Sequence, residues 1–426
     1  MLKEEFLNEM KNLGGIDYEA FVRAMQETPE ISIKLNRRKL TDPTDIGYDD
    51  PEPVIWCRSG HYLSSRPIFT LNPLLHAGAF YVQDASSMIY EPIVEELSNR
   101  GLLPSAPLVL DLCAAPGGKT TSMINALPDG SFIVANEVMP QRVKILAENL
   151  QKWGYPDILV TSSPTSKFGA LPASFDLIAV DAPCSGEGMM RKDEEAGRQW
   201  CPNLVKQCST LQRQILSDAI AALRPGGILI YSTCTFNRQE DEENVEWMAD
   251  THGLEPIDLE LPMEWGIIKQ INSDLPALRF MPHATRGEGL FVAVVRKPGV
   301  TESRSHAKTI ADIKKKTRVI LDGIPKTIAK GKMEIPASQW ALSTRFPIDD
   351  YQSAELDLDT ALGYLRHEAI TLPSNVGKGF VVVKYKGFPL GFVKNIGSRA
   401  NNLYPSEWRI YNSSLRSQQV SEKNRQ

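Results

Sequence analysis

The pattern of apolar and polar positions changes character twice along the chain. From residue 1 to about 107 it is mixed. Glu4–Leu13 and Tyr18–Glu27 carry apolar residues at helical spacing, and Ile31-Ser-Ile-Lys-Leu alternates with the period of a half-buried strand. Asp42 to Pro53 is rich in prolines and acids and reads as a loop. Residues 54–72 (VIWCRSGHYL, then PIFTLN) predict short strands. Gly78–Val94 predicts a strand or turn and then a helix starting near Asp84, where Asp84 and Ser86 suit an N-cap. Residues 1–107 thus form an α+β N-terminal extension.

From Leu108 strands and helices alternate. Strands are expected at Leu108–Leu112, Ser131–Asn136, Ile158–Thr161, Leu177–Asp181, Ile228–Ser232 and Leu290–Arg296, and helices at Lys119–Ala126, Met139–Trp153, Pro202–Leu223 and Arg238–Asp250. Near-continuous apolar runs such as LIAV and ILIY indicate strands covered on both faces, as a parallel sheet requires. Pro225-Gly226-Gly227 reads as a sharp turn. Residues 108–297 are therefore a doubly wound α/β domain of Rossmann-like type. Thr301–Lys316 reads as a basic linker within a connecting segment, 298–347. Residues 348–413 hold a predicted helix, Ala354–Leu365, and strand signals (GFVVVKYKGFPLGFVKN) joined at Lys386-Gly387, which fit a small β-rich domain. The last stretch, 414–426, reads as a disordered tail.

Composition narrows the partners. No apolar run nears the ~20 residues of a membrane span, and the N-terminal pattern carries acids throughout, unlike a signal peptide. A cytoplasmic monomer with no membrane partner is the expectation. The six cysteines contain no C-x-x-C pair, so no metal site is expected and six free thiols are. The net charge is −5, yet residues 298–426 hold 20 Lys+Arg against 12 Asp+Glu, net +8, leaving 27 against 40, net −13, for 1–297. A basic module on an acidic one fits docking of a polyanion.

Chemistry collects at the ends of three predicted strands. Leu108 to Thr121 reads LVLDLCAAPGGKTT: a strand ending in Asp111, a small-residue loop, and a helix opening at Lys119. A P-loop is excluded, because Cys113 stands where its first glycine is needed, and the loop has no G-x-G-x-x-G. The next strand ends in Asn136-Glu137, a carboxylate placed for ribose hydroxyls. The combination points to a nucleoside ligand without a pyrophosphate, for which S-adenosylmethionine is the natural candidate. Phe175–Lys192 reads FDLIAVDAPCSGEGMMRK, putting Asp181 and Cys184 at a strand end. A second thiol, Cys234, follows the strand ending at Ser232. In the usual methyltransferase sheet these strands are neighbours. Two thiols and an acid around a sulfonium donor favour methylation of cytosine C5. A thiolate adding to C6 makes C5 nucleophilic, an acid near N3 or the amine steadies the charge, and a second group assists release. Taken alone, Cys184 reads as the nucleophile; with both thiols present, either can attack.

DLCAAPGGKTT (111–121), DAPCSGEGMMRK (181–192), STCTF (232–236) and FYVQDASS (80–87) resemble the NOL1/NOP2/Sun family of RNA cytosine-C5 methyltransferases, and most closely its bacterial RsmF-type members acting on small-subunit ribosomal RNA. The resemblance implies a class I S-adenosylmethionine-dependent methyltransferase domain and a PUA-like domain at the C-terminus. It implies that Cys113, Ala114, Ala115, Pro116, Gly117, Gly118 and Lys119 hold the methionine and ribose portion of the cofactor, and Glu137 the ribose hydroxyls. Asp181 would lie between cofactor and base, Cys234 would attack and Cys184 would release the product. In DNA cytosine methyltransferases the nucleophile corresponds to Cys184 instead. Many members carry an acid after the third strand; here Ser162-Ser163 stands there, and Ser163 is left as the adenine contact. Arg142 either supports Glu137 or faces solvent. For RNA, the contacts expected by chemistry are Lys378, Lys384 and Lys386, with Lys394 and Arg399, interleaved with Phe380, Tyr385, Phe388 and Phe392. Arg191, Lys192 and the segment 34–39 are further candidates. The implied partner is small-subunit rRNA or the assembled subunit. A tRNA methyltransferase and a non-catalytic assembly factor are the competing readings.

Overall fold

A computed structural model describes residues 2–269, 271, 273–300 and 305–411. The tail expected at 414–426 lies outside them. The chain opens with helices α1 (Glu4–Leu13) and α2 (Tyr18–Ala24). Their apolar stripe, Phe6, Met10, Leu13 and Phe21, packs on Trp200, Val205 and Phe236, far along the chain. Strands β1 (Ile31–Leu35), β2 (Glu52–Val54), β3 (Cys57–Leu63) and β4 (Phe80–Val82) form an antiparallel sheet in the order β2-β3-β1-β4. PIFTLN is not a strand. It forms a 3-10 turn, Phe69–Leu71, then the short helix α3 (Pro73–His76), because Asn72 caps the Leu74 N–H and Pro73 occupies the first helical position. Helix α4 (Tyr90–Asn99) follows.

The central sheet is built from β5 (Leu108–Asp111), α5 (Gly118–Ala126), β6 (Phe132–Asn136), α6 (Pro140–Trp153), β7 (Ile158–Thr161), α7 (Ser166–Gly169), β8 (Phe175–Asp181), α8 (Glu194–Gln199), α9 (Pro202–Ala222), β9 (Leu223–Thr233), α10 (Glu242–His252), β10 (Glu255–Pro256), β11 (Leu278–Phe280) and β12 (Leu290–Arg296). β5 to β9 are parallel and β12 lies antiparallel on β9. The strands of β5 and β8 are buried to their last residue or the one before it, which is why they read as apolar runs. Pro225-Gly226-Gly227 is not a free turn. It lies inside β9 as an irregularity, because Gly226 and Gly227 pair their backbone with Lys297.

The connecting segment is more than a linker. It carries helix α11 (Ala307–Lys316) and β13 (Val319–Asp322), which pairs antiparallel with β7 and completes the sheet order β10-β12-β9-β8-β5-β6-β7-β13. A hairpin, β14 (Thr327–Lys330) with β15 (Met333–Pro336), and α12 (Ser338–Ala341) lead to the last domain. There β16 (Ser353–Glu355), β17 (Gly379–Tyr385), β18 (Phe388–Asn395) and β19 (Ala400–Asn402) form one sheet in chain order, with helix α13 (Leu358–Leu365) beside it. Ala354 is in β16 and not in the helix, which starts only after Asp357 caps the Thr360 N–H. Among the described residues no helix is long and apolar enough to cross a membrane.

Residues 34–39, read from the sequence as candidate RNA contacts, stitch the extension to the central domain. The Lys34 ammonium is buried and donates to Gly118 O, Thr121 and Ser122 at the start of α5. Asn36 donates to Gly78 O and Trp153 O, Arg37 pairs with Glu91 and Glu95, Arg38 with Asp129, and Lys39 donates to Ala77 O and Lys152 O. Burial pushes Lys34 down to about 7. The unfolded chain, at about 10.4, binds the extra proton between these values, so stability rises with pH across that window, by up to about 1.4 kcal/mol per pH unit. Lys34→Met is expected to flatten the dependence of unfolding free energy on pH between 7 and 9, measured by denaturant titration. An unchanged slope would mean that Lys34 stays charged when buried.

Candidate active site

β5 pairs with both β6 and β8, so the chain reverses its direction of winding between β5 and β8. Ligands of open α/β sheets bind at the carboxyl ends of strands at such a switch point. Here the strand ends are Asp111 and Asp181. Beyond them lies an open cleft of about 230 Å3. One wall is Asp111, the loop Cys113–Pro116, Gly118, Lys119 and Asp181; the other is Tyr81–Asp84 with Ser87 from the extension. The loop's small residues let a ligand approach the backbone at the start of α5, and the donor set suits the amino acid and ribose portion of S-adenosylmethionine. Gly117 does not line the cleft. Its φ of 108° makes the loop's turn, and an added Cβ there would sit 3.2 Å from Leu146. Burial pushes Asp111 up to about 7, while the Thr120 hydroxyl, 2.6 Å away, works against the rise.

Glu137 stands at the end of β6, nearly buried, with Oε1 accepting the Met139 N–H at 2.8 Å. Arg142 reaches Glu137 Oε2 at 3.4 Å and donates to Ala115 O at 2.6 Å, so it ties the strand-end acid to the loop after β5. The Ser163 N–H goes to Asn136, and its hydroxyl accepts the Arg318 N–H from the chain entering β13. These bonds occupy the Ser163 N–H and one lone pair of its hydroxyl, so the hydroxyl hydrogen is what remains for the adenine contact expected of it.

On the substrate side the two thiols meet. Parallel β8 and β9 place Asp181 opposite Ser232, and both chains leave the sheet at the same edge. Cys184 Sγ and Cys234 Sγ are 3.2 Å apart, free and partly exposed. The Cys184 thiol is pushed well up, first by its hydrogen bond to Cys234 and then by burial. Asp181 is held at both oxygens: Ser232 Oγ donates to Oδ1 at 2.7 Å, and Lys119 Nζ lies 2.7 Å from Oδ2. Burial opposes the charge on Lys119, but the Asp181 carboxylate outweighs it and Lys119 is raised.

A buried polar network holds the two thiol loops. Glu187 accepts from Trp200 Nε1 (2.9 Å), Phe236 N (2.7 Å), Asn237 N (3.1 Å) and Asn237 Nδ2 (3.0 Å). Glu240 accepts from Ser185 N, Asn237 Nδ2 and Gln212 Nε2. Gly188 N donates to Cys234 O at 2.9 Å. Sequence reasoning passed over Glu187, Asn237 and Glu240. The signal was present in the acid inside GEGMM and in the polar run after Cys234. It also gave Asp84 only a capping role. Asp84 lines the cleft and accepts the Glu288 N–H at 3.0 Å.

The proposed RNA contacts divide. The Arg191 side chain is 5 % exposed and pairs with Glu288, so it is not available to a phosphate. Lys192 is partly exposed and pairs with the same Glu288. Lys386 donates to Asp45 O and so docks the C-terminal domain on the extension. Lys378, Lys394 and Arg399 are exposed and Lys384 is half-buried, while Phe392 is fully buried in the domain core. Lys394 lies 5.7 Å above the Phe380 ring. Among the described residues no group of three His, Cys, Asp or Glu side chains is placed to hold a metal ion.

Residues 104–296 match the family model for 16S rRNA methyltransferase RsmB/F, residues 2–85 that for the N-terminal domain of 16S rRNA methyltransferase RsmF, and residues 351–410 that for the methyltransferase RsmF PUA domain. The chain is 30% identical to ribosomal RNA small subunit methyltransferase F of Enterobacter sp. (strain 638), over 95% of each protein. It is 30% identical to the protein of that name from Aliivibrio salmonicida, over 84% of this chain and 85% of the relative. A methyltransferase homolog protein from Pyrococcus horikoshii superposes with a TM-score of 0.56 at 25% identity, covering 70% of this chain and 100% of its own. NSun6 from Pyrococcus horikoshii superposes with a TM-score of 0.59 at 20% identity, over 69% and 98%, and shares the fold.

Proposed function

We propose, from the premise that this chain belongs to the ribosomal RNA small subunit methyltransferase F family, that it methylates C5 of cytosine in small-subunit ribosomal RNA, with S-adenosylmethionine as cofactor. The observation that carries the C5 reading is the pair of free thiols 3.2 Å apart beside the Lys119–Asp181 pair at the mouth of the cleft. Methylation of oxygen or nitrogen needs no such pair.

Cys234 adds through sulfur to C6 of the base, and the ring electrons move toward C5 and N3. Asp181, oriented by Lys119 and Ser232, faces the base edge where that charge develops. S-adenosylmethionine supplies a sulfonium methyl that C5 takes. The C5 proton then leaves to a base, the C5–C6 double bond re-forms, and the C6–S bond breaks to return the Cys234 thiolate. Cys184 fits this last stage. What holds its proton in the free enzyme is chiefly Cys234. Once Cys234 is alkylated, Cys184 loses that hydrogen-bond partner while burial still holds its thiol up, and it stands beside the C6–S bond that must break. Lys378, Lys384 and Lys394 on the C-terminal domain supply phosphate contacts at a distance from the reaction.

Bisulfite sequencing of ribosomal and transfer RNA from strains with and without the gene tests the substrate. Loss of one or more 5-methylcytosines from small-subunit rRNA is expected. Loss confined to tRNA, or no loss in either pool, overturns the reading.

A further inference from the structure

Ser232, which orients Asp181 in the reaction as derived, has a buried partner of its own that the reaction has not used. Tyr90 is the first residue of α4, in the extension, and is fully buried. Its hydroxyl lies 2.9 Å from Ser232 Oγ, and Ser232 Oγ lies 2.7 Å from Asp181 Oδ1. Counting donors sets the direction. A carboxylate only accepts, so the single Ser232 hydrogen goes to Asp181, and the Ser232 oxygen must accept from Tyr90. Burial, then the charge of Asp181, pushes the Tyr90 hydroxyl well above its ordinary value, so Tyr90 keeps the proton it donates.

We propose that Tyr90 and Ser232 are positioning residues for methyl transfer, acting in series to hold the Asp181 carboxylate against rotation. The terminal torsion of an aspartate is soft and roughly two-fold. Lys119 restrains one oxygen, and Ser232 restrains the other. A serine hydroxyl by itself rotates to any nearby acceptor; the Tyr90 donor occupies its lone pair and aims its hydrogen at Asp181. Each Asp181 oxygen keeps a lone pair for the base. The extension thereby reaches the reaction centre through one phenol, although Ser232 and Asp181, the two residues it orders, both belong to the central domain. The inference rests on Asp181 facing the reacting base, as proposed above.

Tyr90→Phe keeps the ring and removes the donor. Steady-state methylation of substrate RNA is expected to show kcat lowered roughly tenfold, with the KM for S-adenosylmethionine within about twofold of wild type, since a small misplacement of a catalytic group lowers the rate without loosening a remote ligand. Ser232→Ala is expected to fall further. The double variant Y90F/S232A is expected to match S232A alone, because Tyr90 acts only through Ser232. An unchanged kcat in Y90F overturns the proposal, and so do multiplicative losses in the double variant, which would mean that Tyr90 contributes by packing. If Y90F does not fold, S232A decides: a lowered kcat with unchanged cofactor Kd by calorimetry supports the series, and a weakened Kd overturns it. Failure of the underlying reading looks different, since the wild-type protein itself would make no 5-methylcytosine and the proposal would fall with it.

Discussion

Cys234→Ala is expected to transfer no measurable methyl group to RNA, a loss of at least about 10^4-fold in kcat, because removing a covalent nucleophile removes the route and not one contribution to it. Cys184→Ala is expected to behave differently. Attack and methylation proceed, but the product is not released, and a protein–RNA adduct accumulates that survives denaturation and migrates slowly on a denaturing gel. The different roles are those the family resemblance implies; the structure adds that the two thiols lie 3.2 Å apart, so both can reach the same base. The measurement is methyl incorporation from labelled cofactor beside adduct formation with the same RNA. Full activity in C234A, or an adduct in C234A in place of C184A, would exchange or remove the assigned roles.

Glu187→Ala is expected to destabilise the protein by about 4 kcal/mol, since removing a buried charged acceptor leaves its donors unpaired in a low-dielectric interior. Four N–H donors converge on that carboxylate, including the backbone of Phe236 and Asn237 just after the Cys234 loop. For a domain of this size the loss corresponds to a melting temperature lower by roughly 10 °C. Methylation is expected to fall even where the protein remains folded, because the network sets the path of both thiol loops. Glu187→Gln keeps the shape and part of the acceptor capacity and is expected to cost less. Calorimetry of the three proteins checks the order. A Glu187→Ala variant as stable as wild type would show that the donors find other acceptors or water.

The domain that binds the cofactor was legible because its chemistry and its hydrophobicity share the same residues. Parallel strands covered on both faces must be apolar throughout, so β5, β8 and β9 stand out, and the polar groups that follow them fall at one edge of one sheet. The edge strand β13 was missed for the opposite reason. It alternates in burial and is only four residues long, so nothing in Val319–Asp322 separates it from a linker. The chain entering it occupies the Ser163 hydroxyl through the Arg318 N–H.

Charge was the least readable feature. Arg37, Lys39 and Arg191 look in sequence like any other phosphate-binding cation. Whether a lysine meets RNA or a carbonyl depends on partners such as Glu91, Lys152 O and Glu288, which lie 54 or more positions away. By itself the sequence determined the parallel strands β5 to β9, the small-residue loop after β5, and the placing of Asp181, Cys184 and Cys234 at strand ends, because local periodicity and strand ends carry that information. Only the tertiary structure decided that the thiols touch, that Asp181 is tied at both oxygens, that the extension is stitched down by its own cations, and that Tyr90 reaches the centre. Each of these is a contact between distant segments, set by strand order and packing, and no spacing along the chain encodes it.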